Sequence, residues 1–124
     1  MTVRSPSQYD ENLDRASILE HLDGSQELLT ELVQLFLEEA PQLIEAMRKA
    51  LQQGDMQELG RSAHSMKGAA GNFCAHGTVS AASQLENHAK KADAESAKAC
   101  LATLEAIVER LLPELASMCQ GSPK

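Results

Sequence analysis

Leucine, alanine, methionine and valine recur along this chain at intervals of three and four, the spacing that lines up one face of an α-helix. The pattern predicts a short helix from Asp14 to Leu22, stopped by Asp23-Gly24. Ser25 then caps a long helix whose inward face steps through Leu28, Leu32, Phe36, Ala40, Leu43, Met47 and Leu51. Pro41 lies inside that run and predicts a kink or local break. Gln53-Gly54-Asp55 ends this helix and caps the next, which points Met56, Leu59, Ala63, Met66, Ala70 and Phe73 inward. A turn follows around Ala75-His76-Gly77, with Thr78 as a candidate N-cap, and a further helix turns Val79, Ala82, Leu85 and Ala89 inward. Asp93 opens a last helix with Leu101, Leu104, Val108, Leu111, Leu115 and Met118 on one face, bent near its end by Pro113. Residues 1–12 and 120–124 are polar and aperiodic, and read as flexible tails around a single domain over 13–119. Four long amphipathic helices with short connections predict an all-α, antiparallel four-helix bundle carrying a short extra N-terminal helix.

Composition agrees with this and narrows it. The chain has 124 residues, enough for one core, and 43% of them are hydrophobic. Tyr9, Phe36 and Phe73 are the whole aromatic content, so Leu, Ala, Met and Val must build that core. A net charge of −7 and a pI near 5.0 argue against nucleic acid as a partner. Cys74, Cys100 and Cys119 are odd in number and irregularly spaced, which reads as reduced thiols in a cytoplasmic protein. No apolar run is long enough to span a membrane, and no signal-peptide pattern opens the chain.

A bundle has no chemistry of its own, so function must come from a site. The third of these long stretches, counted from the short first helix, is unusual in holding Gly60, Gly68 and Gly71, each costing roughly 1 kcal/mol against Ala in a helix interior. With Ala63 at 0° and about 100° per residue, the apolar stripe centres near −30° and His64 falls near 100°. On the same scale Gly60, Gly71 and Gly68 fall at about 60°, 80° and 140°, around His64 and away from the stripe. The imidazole should therefore be partly exposed, with room above and below for another protein or a phosphoryl group. Lys67, near 40°, sets an ammonium beside the ring, and Arg61, near 160°, adds positive potential. His64 and Glu86 are equally far from Ala75, the centre of the turn, so an antiparallel hairpin sets them level. A carboxylate there can accept a hydrogen bond from Nδ1–H and leave Nε2 as the nucleophile.

The stretch Ala63-His64-Ser65-Met66-Lys67-Gly68-Ala69-Ala70-Gly71-Asn72-Phe73 resembles the signature of histidine-containing phosphotransfer (HPt) domains. In those domains the phospho-accepting His is followed by Lys at plus three and Gly at plus four. The resemblance spans roughly residues 14–118 and includes Leu35-Phe36-Leu37, the Gly54-Asp55 break and Leu85-Glu86. It implies a phosphorelay carrier, not an enzyme in its own right. His64 would take a phosphoryl group from a receiver-domain aspartate and pass it to another receiver. Lys67 would orient that group and Gly68 would leave room for docking. Glu86 matches an acidic residue that contacts the phospho-accepting His in the related chemotaxis-kinase domains. No cofactor belongs to this chain on that reading, since Mg²⁺ would sit on the receiver. One departure is Cys74-Ala75, where many members carry Gly-Ala, which puts the end of the helix in doubt.

The partners so implied are response-regulator receivers or a hybrid sensor histidine kinase, with the carrier itself a monomer. Docking candidates are Gly60, Arg61 and Gly71 around the ring, with Ile18 and Leu22 on the short helix and Ile44, which hairpin counting about Gly54 sets level with His64. The alternatives are the phospho-accepting domain of a chemotaxis-type or hybrid kinase and a bundle that binds without transferring. A histidine-kinase dimerisation domain fits less well, because Ser65 follows His64 where an acidic residue is typical. His21, His76 and His88 read as surface residues, and a metal site from Cys74, His76 and His88 lacks the spacing of one helical face.

Overall fold

The computed structural model describes residues 13–120, and within them the chain is helical apart from short turns. The predicted tails over 1–12 and 121–124 lie outside the described residues, while Gln120 ends the last helix. The helices are α1 (Arg15–His21), α2 (Gln26–Gln53), α3 (Met56–Gly71), α4 (His76–Lys90) and α5 (Ala94–Gln120). Helices α2 to α5 form a closed ring, in which α2 packs on α3, α3 on α4, α4 on α5, and α5 back on α2. Connections of two to four residues make successive helices antiparallel. Helix α1 lies against α2.

Local chemistry sets the boundaries. The Asp14 carboxylate accepts from Ala16 N–H at the start of α1, and Ser25 Oγ accepts from Leu28 N–H at the start of α2. Gly54 closes α2 in the left-handed conformation (φ 69°), which costs a glycine little. Asp55 then caps α3 through Glu58 N–H at 3.1 Å, and Asp93 caps α5 through Ser96 N–H at 3.2 Å. Both prolines sit inside unbroken helices. Pro41 and Pro113 are exposed, so their rings lie on the outer side of the bundle, and neither breaks its helix.

Two expectations are corrected here. Thr78 does not cap α4: it lies inside the helix, fully buried, and α4 begins at His76. The early start follows from Cys74, which takes a left-handed conformation (φ 54°) and reverses the chain in one residue. The cysteine places a side chain where the backbone favours none.

The inward face of α2 is also shifted from the predicted one. Leu29, Val33, Phe36, Ala40, Ile44, Met47 and Ala50 are buried, whereas Leu28 is 38% exposed and Leu35 49% exposed. Apolar residues come in adjacent pairs (Leu28-Leu29, Leu32-Val33, Leu43-Ile44, Ala50-Leu51), so two neighbouring stripes satisfy the same period, and packing against α3 and α5 selects between them. The core so formed includes Leu59, Met66, Leu85, Leu104 and Leu111 and is anchored by an edge-to-face pair of Phe36 and Phe73, with ring centroids 5.5 Å apart.

Candidate functional site

Helix α3 buries Leu59, Ser62, Ala63, Met66 and Ala70, which turns His64 outward. Its side chain is 66% exposed. The hairpin formed by α3 and α4 brings Glu86 opposite, with Oε2 3.1 Å from His64 Nδ1. The other oxygen, Oε1, accepts from Lys67 Nζ at 3.0 Å. One carboxylate therefore holds both the ring and the ammonium (side-chain exposure 15% for Glu86 and 32% for Lys67). The hydrogen bond from Lys67, with the ammonium's charge and a smaller contribution from His64, holds the Glu86 carboxyl below its ordinary range. An ionised carboxylate only accepts hydrogen bonds, so Nδ1 must be the donor, and Nε2 of the neutral ring keeps its lone pair.

The glycines play different parts. A Cβ built on Gly68 or Gly71 meets no atom within 4 Å, so the surface beside the ring is open. A Cβ on Gly60 would lie 3.5 Å from Ala89 Cβ, an ordinary contact, so Gly60 faces α4. Met56, Gln57, Gly60 and Arg61 on α3, with Glu86, Ala89 and Lys90 on α4, line a groove that ends at His64. On its other side α3 borders a second groove, shared with Glu39, Gln42, Leu43 and Ala46 of α2 and containing Ser65 and Gly68.

Arg61 and three of the docking candidates do not sit as the sequence implied. Arg61 gives its charge to Glu58 Oε1 at 2.9 Å, and so adds little free positive potential at the ring. Ile18 and Leu22 are buried at 0% and 8% exposure, and Ile44 at 8%, so none offers a docking surface. The first two are the apolar pair by which a seven-residue helix is held on the bundle, since a helix so short has little stability of its own. Ile44 belongs to the stripe that packing selected. The exposed large apolar side chains among the described residues are Leu28 and Leu35 instead.

Sequence reading missed the Lys67–Glu86 bond and the place of Lys90. The counting about residue 75 that pairs His64 with Glu86 also pairs Gly60 with Lys90, and would have found the latter. Among the described residues, no group of three or more His, Cys, Asp or Glu side chains is arranged to hold a metal, and no helix is long and apolar enough to cross a membrane.

The site is thus a solvent-facing histidine with Nδ1 engaged by Glu86, a lysine one turn on that shares the same carboxylate, and open surface at Gly68 and Gly71. The sequence model of the Hpt domain matches residues 31–116, and the chain belongs to that family, the histidine phosphotransfer domains of phosphorelays. The fold matches the crystal structure of histidine-containing phosphotransfer protein B (HptB) from Pseudomonas aeruginosa PAO1, with a TM-score of 0.81 and 22% identity over 90% of this chain and 96% of that one. No curated protein matches the sequence.

Proposed function

We propose that His64 is the phospho-accepting residue, taking a phosphoryl group from the aspartyl phosphate of a receiver domain and handing it to a second receiver. The observation that carries this is the engagement of Nδ1 by Glu86, which leaves Nε2 unencumbered at an exposed ring. In the accepting step the Nε2 lone pair forms the N–P bond as the aspartyl P–O bond breaks, and the aspartate leaves as a carboxylate. The ring, then carrying both the phosphoryl group and the Nδ1 proton, is positive, and Glu86 faces that proton. Lys67, one turn along and tethered to the same carboxylate, is placed to swing to the phosphoryl oxygens. In this reading the chain supplies the nucleophile and its orientation, while Mg²⁺ and most of the charge stabilisation belong to the receiver. The partners on this reading are receivers, a hybrid sensor kinase, or both, and the carrier is a monomer.

The test is phosphoryl transfer from a panel of phosphorylated receiver domains to this protein and to His64→Ala. The expected product is an acid-labile, alkali-stable phosphohistidine on the wild type alone. Label on the variant would move the site elsewhere, and no label on either would favour a bundle that binds without transfer.

A further inference from the structure

Helix α2 carries an unusual outer face of its own. Leu28 and Leu35, 38% and 49% exposed, are the exposed large apolar side chains among the described residues, and the part-buried Leu32 lies between them on the same stripe. Their spacing of four and then three is that of the d, a and d positions of a coiled-coil heptad. In that register Glu31 and Glu38 take the g positions and are exposed, while the e positions are Leu29 and Phe36, buried in the bundle core. The open flank of the seam is therefore acidic. From Gln26 to Met47 the helix holds no lysine or arginine. Among the described residues, neither Glu31 nor Glu38 has a cation within ion-pair distance. Hairpin counting about Gly54 sets His64 level with Ile44, so Leu35 and Leu28 stand roughly 14 and 24 Å further along the axis at about 1.5 Å per residue.

We propose that Leu28, Leu32 and Leu35 form a docking seam for an amphipathic helix of another protein, one that carries apolar residues at its own a and d positions and lysine or arginine beside them, facing Glu31 and Glu38. Heptad geometry disfavours a second copy of this chain as the occupant. In a parallel pair the g carboxylates would meet Leu29 and Phe36, and in an antiparallel pair they would meet each other. An acidic helix with the same apolar pattern is repelled, so the flank selects the partner as well as attracting it. The seam stands clear of the His64 ring, and a partner held there leaves Nε2 open. Nothing in this docking depends on the carrier role.

The probe is a synthetic heptad-repeat peptide with Leu at a and d and Lys at e and g, set against a twin with Glu at e and g. Binding is read by fluorescence anisotropy at low and at physiological salt. The lysine peptide should bind and the glutamate peptide should not. Leu28→Gln combined with Leu35→Gln should weaken binding about tenfold. Glu31→Gln combined with Glu38→Gln should weaken it and flatten its salt dependence. Glu109→Gln combined with Glu114→Gln removes the same charge from exposed positions on α5 and should leave binding at wild-type strength. Saturating peptide should leave phosphoryl transfer from a receiver unchanged. No binding, equal binding of the two peptides, or full binding by the leucine variant would overturn the seam. Transfer blocked by the peptide would assign the strip to the receiver and overturn a separate partner, and a dimer that dissociates in the leucine variant would assign it to a second copy. A chain that binds the peptide but that no donor phosphorylates would sink the carrier role and leave the seam standing.

Discussion

The ammonium of Lys67 lies 3.0 Å from Glu86 Oε1, on the carboxylate whose other oxygen holds the His64 ring. The lysine thus acts on the histidine at rest by sharing its anchor. Removing that anchor should affect the ring before any phosphoryl group is present. In Glu86→Ala the imidazole should move from the Nδ1–H tautomer toward the mixture found in free histidine, read from its ¹⁵N chemical shifts. Transfer should slow about tenfold, the effect of losing one charge-assisted hydrogen bond of ~1.4 kcal/mol. Wild-type ¹⁵N shifts in the variant would show that packing, not Glu86, selects the tautomer.

The same carboxylate makes the fold acid-sensitive. Glu86 is held below its ordinary range chiefly by the hydrogen bond from Lys67, and Asp93 by its hydrogen bonds from Ser96 at the start of α5. Each binds its proton less readily folded than unfolded, so each contributes stability that is complete above the unfolded pKa of about 4 and lost as pH falls through the lower folded value. The melting temperature should therefore drop on acidification below about pH 4.5, and less steeply in Glu86→Gln and Asp93→Asn than in the wild type. Parallel curves for all three proteins would contradict the assignment.

Gly68 is open on the outside of α3, so a side chain there costs the fold nothing and removes a helix-destabilising glycine. Gly68→Ala should stabilise by roughly 1 kcal/mol in a denaturant titration. Gly68→Gln should keep its fold and its reaction with phosphoramidate, yet transfer more slowly from a receiver. Equal receiver rates would mean that the partner approaches from the other side of His64.

Cys74 occupies a left-handed conformation that favours glycine. Replacing it with Gly should raise stability by about 1 kcal/mol, a few degrees in melting temperature. A decrease would show that packing of the half-buried thiol outweighs the backbone cost.

The two stripes of α2 can be told apart by adjacent residues. Phe36 is buried against Phe73 and Leu35 is half exposed. Phe36→Ala should cost about 3–5 kcal/mol, and Leu35→Gln should stay within about 0.5 kcal/mol, by urea denaturation. Comparable losses would mean that Leu35 is covered in solution.

The helices and most of their ends could be read from the chain because their signals are local: Ser25, Gly54, Asp55 and Asp93 act within one turn of where they stand. The level of Glu86 with His64 was legible too, since a short hairpin makes height a matter of counting. The inward stripe of α2 was not, because Leu28-Leu29 and its sister pairs satisfy one period twice and only the neighbouring helices choose. Ile18, Leu22 and Ile44 were misplaced for the same reason: whether an apolar residue docks a partner or fills a core depends on what covers it. Lys67 and Arg61 could be put on the right face by helical geometry, but the carboxylates that bind them depend on side-chain choices that spacing does not record.

The ring of helices bears on how the chain reaches this state. Three of its four interfaces join helices adjacent in sequence, and the fourth, α2 with α5, carries the Arg48–Glu105 pair across 57 residues. His64 and Glu86 are only 22 apart. Loop entropy makes the longer closure costlier by about 0.8 kcal/mol, and local contacts place such a topology among fast folders. The His64–Glu86 pair therefore belongs to a hairpin that can form before the ring shuts. In hydrogen exchange the α2–α5 seam should open while the amides around His64 remain protected.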